Sequence, residues 1–144
     1  MNNYRDYYNY VNNNYNQPNY NQDNVSISKL YDPYQAFIRG NLFPDLYNSY
    51  RVDNPIDINP SNEQAQVLTN IDSLEFAMQD INLYLDLYPS DAKMIELYNF
   101  YLKQYKDFMN LYQNKYGPIS LDSDALKGKN WDWINSPWPW EVNN

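Results

Sequence analysis

Asp72, Glu75, Gln79 and Asp80 recur at separations of three to five residues, the spacing that brings side chains onto one side of a helix. Paired Asp and Glu can shuttle protons or hold a divalent cation without histidine. Solvated helix faces carry the same runs, and that is the reading adopted: no catalytic residue, metal ligand or cofactor is expected, and the chain is not read as an enzyme. With no His and no Cys in 144 residues, catalytic triads, thiolate nucleophiles, disulfides and His- or Cys-based zinc sites are excluded outright.

Aromatic rings offer a second kind of chemistry. All four tryptophans, Trp131, Trp133, Trp138 and Trp140, fall within ten residues, around Pro137 and Pro139. Flat rings can stack on a sugar, with Asp132, Asn135 and Glu141 as polar companions, which makes a carbohydrate- or cell-wall-binding module the alternative function. A membrane-interface role also suits Trp and Tyr, but the charge opposes it. Tyrosines of the second helix described below could relay electrons; their regular spacing fits core packing better.

Charge and composition narrow the partners. Asp and Glu number 18 against 10 Lys and Arg, a formal charge of -8, so a sequence-independent grip on nucleic acid or anionic lipid is disfavoured. Tyr supplies 17 residues, and tyrosine works well at interfaces because its ring buries while its hydroxyl stays wet or paired. No apolar run reaches the roughly 20 residues of a membrane span, and the N-terminus lacks the features of a secretory signal. A soluble protein that is not conventionally exported is expected.

Residues 1–28 are almost wholly Asn, Tyr, Gln, Asp and Ser, with no aliphatic periodicity, and read as a disordered leader. Residues 29–50 change character, gathering Leu30, Phe37, Ile38, Leu42, Phe43 and Leu46. Pro33 suits a first helical position, Gly40 a terminus and Pro44 a stop, so a short turn at about 34–39 followed by an extended stretch is predicted. Residues 51–61, with Pro55 and Pro60, read as a linker to a unit spanning 62–144.

From Ser61, with Gln64 completing a capping box, a long helix is predicted. Val67, Ile71, Leu74, Met78, Ile81, Leu85 and Tyr88 alternate in steps of four and three and form one stripe. Phe76, Leu83 and Leu87 form a second, narrower row. Pro89 ends the helix and Ser90 can cap the next, whose stripe is Met94, Tyr98, Tyr101, Tyr105, Phe108 and Tyr112 and whose stop is Gly117-Pro118. The prediction is an all-α chain: an antiparallel two-helix hairpin, an extended Trp/Pro-rich C-terminal arm and the disordered N-terminus. Two helices bury too little alone, so a third layer is required. It can be the Trp arm, residues 29–50, a second copy of the chain or another protein.

Three motifs occur in order: Asn82-Leu83-Tyr84-Leu85-Asp86, Lys115-Tyr116-Gly117-Pro118 and Pro137-Trp138-Pro139-Trp140. Over residues 62–142 the chain thereby resembles the small spore coat family CotJB, and Ala36-Phe37-Ile38-Arg39-Gly40-Asn41-Leu42-Phe43-Pro44-Asp45-Leu46-Tyr47 is similar to the core of the companion coat protein CotJA. The resemblance implies a structural component of the endospore coat, made in the mother cell, which binds other coat proteins, among them one like a manganese catalase, and can form homo-oligomers. It implies no catalytic residue. The two pieces joined in one chain suggest that residues 29–50 dock on the hairpin along Phe76, Leu83 and Leu87. Those three, with Phe37, Leu42, Phe43, Leu46, Trp131, Trp133, Trp138 and Trp140, are the candidate protein-binding residues. In a coat, the leader tyrosines Tyr4, Tyr7, Tyr8, Tyr10, Tyr15 and Tyr20 could also be joined oxidatively to neighbouring chains.

Overall fold

A computed structural model describes residues 29–44 and 55–135. The leader, Leu46, residues 51–54 of the linker, Trp138 and Trp140 lie outside the described residues. Among those described the chain is helical, with no strand: α1 is Pro33–Arg39, α2 is Glu63–Leu87 and α3 is Ala92–Tyr116.

The start and end of α1 follow from its sequence. The Asp32 carboxylate accepts the Gln35 N–H at 2.9 Å, Pro33 occupies the first turn, and Gly40 closes the helix in a left-handed conformation with φ +72°. Beyond it the Asn41 N–H reaches back to the Ala36 carbonyl at 3.1 Å. Pro33 and Gly40 therefore act as predicted.

Both long helices begin one residue later than their predicted caps. Asn62, not Ser61, caps α2 by accepting the Ala65 N–H at 2.8 Å, and the Gln64 side chain leaves the expected box to donate to the Tyr112 hydroxyl at 2.9 Å. Asp91, not Ser90, caps α3, accepting the N–H groups of Lys93 and Met94 at 3.1 and 3.2 Å. An acidic side chain satisfies two orphan donors and also favours the positive end of the helix dipole, which a serine does not.

α2 and α3 lie antiparallel. At the turn the Tyr84 hydroxyl donates to Asp91 at 3.0 Å; at the open end Lys115 meets Glu63 at 2.6 Å. Their shared core holds Val67, Ile71, Leu74, Met78 and Ile81 from α2 with Met94, Leu97, Tyr101 and Phe108 from α3. Leu85 is half-buried and Tyr88 exposed, so the first stripe opens out in its last turn. On α3 the buried line runs through Leu97 and Gln104, while Tyr98, Tyr105 and Tyr112 stand half-buried at its margin. The stripe is thus rotated from the predicted one, with which it shares Met94, Tyr101 and Phe108.

Ala36, Leu42 and Phe43 join the same core, so a third layer is supplied by the segment around α1, which packs on α2. After α3 come two single 3-10 turns, Asp124–Lys127 and Asp132–Asn135. Trp133 lies inside the second turn, which corrects the extended reading for this part of the arm. Pro137 and Pro139 restrict only the residue immediately before each, and 131–135 lie beyond that influence.

Candidate protein-docking site

α2 carries a second line at heptad spacing: Asn70, Ser73, Ala77, Asp80 and Tyr84. It sits beside the apolar stripe and is made of small or polar side chains in its first four positions. Ala77 is fully buried, as is Ala36 of α1, and small side chains let two helices approach closely. Ser73 needs no partner from outside its helix, because its hydroxyl donates to the Thr69 carbonyl at 2.6 Å.

Three contacts seat the segment on α2, two of them on this line and one beside it at Phe76, in the order of the chain. The Phe37 ring meets Phe76 edge-on, with centroids 6.1 Å apart. The Leu42 N–H donates to the Asp80 carboxylate at 2.8 Å. The Phe43 ring stacks on Tyr84 at 5.4 Å with 21° between planes. The segment is closed on itself by the Tyr31 N–H, which donates to the Leu42 carbonyl at 3.1 Å, and by Arg39 lying 5.0 Å from the Tyr31 ring centre. Burial raises the Asp80 pKa above the usual carboxylate range, and the Leu42 N–H pulls it partly back. Leu42 itself is fully buried.

Tyr34 ties the returning chain to α1. Its hydroxyl accepts the Ile58 N–H at 2.9 Å and donates to the Asp57 carboxylate. Burial, then the bond to Asp57, pushes the Tyr34 pKa up to about 12. Tyr84 is likewise pushed up to about 12, by burial first and by its bond to Asp91 second.

Of the residues singled out from the sequence, Phe37, Leu42, Phe43 and Phe76 come together at this dock. Leu83 and Leu87 do not: they are 55% and 76% exposed. The docking line is therefore Phe76, Asp80 and Tyr84 rather than Phe76, Leu83 and Leu87. Trp131 is exposed and Trp133 half-buried. Sequence reasoning singled out Asp80 only as a helix-face carboxylate and missed its docking role, and it missed Tyr34 and Asp57 altogether. An aspartate at a heptad position otherwise flanked by Ala77 and Tyr84 was the one available signal for the first. Among the described residues no group of three or more Asp or Glu could hold a metal ion. Asp72 is raised above the carboxylate range by burial and then by Glu75.

Asn70 and Gln104 are 2% and 3% exposed, and their amide nitrogens find no hydrogen-bond partner among the described residues. Each buried donor without a partner costs about 1–3 kcal/mol.

The model of the CotJB protein family matches residues 65–141, more than half of the chain. The chain belongs to the CotJB family. That membership marks it as a spore coat component, in a family not known as enzymatic. The CotJB match takes in Phe76, Asp80 and Tyr84 of the docking line but begins after α1, and no match supports a CotJA-like segment at residues 29–50. No curated protein and no solved structure matches the chain. No described helix is long and apolar enough to cross a membrane.

Proposed function

We propose that this CotJB-family chain is a non-catalytic assembly piece of the endospore coat, made in the mother cell, that holds other coat proteins through its aromatic C-terminal end. The observation that carries this reading is the exposure of Trp131, just before the Asp132–Asn135 turn, and of Ile134 within it, ahead of Trp138 and Trp140 in the sequence. Large apolar side chains exposed close together are what a protein partner covers, and tryptophan leads among residues that dominate binding energy. The partner proposed is a coat protein resembling a manganese catalase, in line with the family resemblance. Residues 29–50 are the CotJA-like piece in this reading, and the docking of Phe37, Leu42 and Phe43 on α2 supports that role. A short tether holds such a piece at an effective concentration of roughly millimolar.

Co-expression with a manganese-catalase-like coat protein tests the proposal. Co-purification is expected, and the double change Trp131→Ala with Ile134→Ala should abolish it without altering helicity. No co-purification of the unmodified chain, or binding indifferent to both changes, overturns it. A shift of tryptophan fluorescence on adding spore polysaccharide would favour the carbohydrate reading, which rests on the same exposed Trp131.

A further inference from the structure

α3 carries two lines of residues that qualify for its inner face. Both contain Met94, Tyr101 and Phe108, which are buried; one adds Leu97 and Gln104, also buried, and the other adds Tyr98, Tyr105 and Tyr112, which stand half-buried. Leu97 and Tyr98, like Gln104 and Tyr105, are chain neighbours, so about 100° of helix separates the lines and the shared residues lie between them. The line that faces inward is the one with a polar penalty. The Gln104 amide nitrogen finds no hydrogen-bond partner among the described residues, and a buried donor without a partner opposes the packing that holds it there. The tyrosine line has polar company at its edge. The Tyr112 hydroxyl already accepts the Gln64 amide across the interface at 2.9 Å. The Tyr105 pKa is raised by burial first and then by Glu75, Asp122 and Asp72, carboxylates that lie around its hydroxyl. Among the described helical elements α3 packs extensively on α2 alone, since the segment around α1 also lies on α2 and the two 3-10 turns lie on each other.

We infer that α3 has a second packing on α2, reached by a rotation of roughly 50° about its own axis, in which Tyr98, Tyr105 and Tyr112 face inward while Leu97 and Gln104 move out to the margin. Met94, Tyr101 and Phe108 keep their contact throughout and act as the pivot. The rotation gives the Gln104 amide access to water and sinks three aromatic rings in exchange for one leucine. Hydroxyls at the ring tips stay at the edge, where the carboxylates accept from them. Two packings that trade an unsatisfied amide against an aliphatic contact lie close in free energy, which makes the helix pair bistable. Gly117, the residue that ends α3, lies directly ahead of the stretch seated by Ser123 and Leu126, so whatever holds that stretch biases α3 toward one packing. The inference stands on the hairpin alone and does not depend on the coat reading.

The chain has no native cysteine, so single thiols report cleanly. In the full chain, Leu97→Cys places a thiol that the rotation uncovers, and Leu74→Cys places one on the α2 stripe that stays inside in both packings. Alkylation by iodoacetamide at position 97 should be nearly independent of urea below the unfolding transition, because a rotation exposes little surface. At position 74 it should accelerate steeply with urea, because only global unfolding opens that site. Adding Tyr105→Asn to Leu97→Cys weakens the second packing and should slow alkylation by about tenfold or more. Local fraying of α3 would be quickened by the same change, and that result overturns the inference. A urea dependence shared by the two thiols overturns it as well.

Discussion

The backbone N–H of Leu42 points at the carboxylate of Asp80, 2.8 Å away and 38 residues further along the chain. It is a bond between a loop backbone and a helix side chain, formed just past the left-handed Gly40 that turns the chain onto α2. Its acceptor is half-buried, so water does not simply replace it when it is removed.

Asp80→Ala should therefore lower stability by about 1–3 kcal/mol, the cost of leaving the Leu42 N–H unpaired. Asp80→Asn keeps an acceptor oxygen and sheds a desolvated charge, so it should cost much less. Urea midpoints of the two variants provide the check, and equal losses would show that the charge, not the acceptor, matters.

Phe43 is buried and stacked on Tyr84, and Phe43→Ala should cost about 3–5 kcal/mol. Phe43→Asp should release the segment altogether. The expected readings are a lower thermal midpoint for the hairpin and faster proteolysis near α1; an unchanged midpoint would mean that the segment contributes nothing to the core.

The raised carboxyls predict a gain of stability in mild acid. Asp72 and Asp80 are both held above the ordinary value of 3.8, so the folded chain binds protons more readily than the unfolded one. Their contribution appears as pH falls through the folded values, is complete below about 3.8, and is lost as pH rises again. At the alkaline end Tyr34 and Tyr84, moved from 10.0 to about 12, favour the folded state up to about pH 10 and lose that contribution between 10 and 12. Urea midpoints against pH should show both trends. Asp80→Asn should flatten the acid one, and Tyr34→Phe the alkaline one.

Replacing the buried amides by apolar groups of similar size should stabilise the chain. Gln104→Met and Asn70→Leu each remove a buried unpaired donor, and midpoints are expected to rise by the equivalent of about 1 kcal/mol apiece. A fall would mean that these nitrogens are paired, the natural source being a residue beyond the described ones.

The hairpin was legible in the spacing of its apolar residues, and α1 in the placement of Pro33 and Gly40. The caps slipped by one because Ser61 and Asn62, like Ser90 and Asp91, are adjacent residues that can each cap a helix, so the pattern alone does not choose between neighbours. The α3 stripe was ambiguous for a related reason. Met94, Tyr101 and Phe108 belong to two lines, one through Tyr98 and Tyr105 and one through Leu97 and Gln104, and counting Tyr as core favoured the wrong one. Of the docking line only Phe76 was visible to hydrophobic patterning, since Asp80 is polar and Tyr84 falls in neither predicted row. What identifies it is a backbone donor from another part of the chain, and side-chain periodicity does not encode that.

The two ends of the hairpin are fastened by different chemistry. At the turn, Asp91 binds two backbone N–H groups of α3 and the Tyr84 hydroxyl, so one carboxylate locks the connection. At the other end the Lys115–Glu63 ion pair is open to solvent, and such pairs add little in salt. A second tie at that end is the Gln64 amide, which donates to the Tyr112 hydroxyl at 2.9 Å. Beyond Gly117 the chain is seated again by Ser123 and Leu126, 6% and 9% exposed, so the turn that presents Trp131 is carried on an anchored stretch and its ring meets a surface from a fixed position.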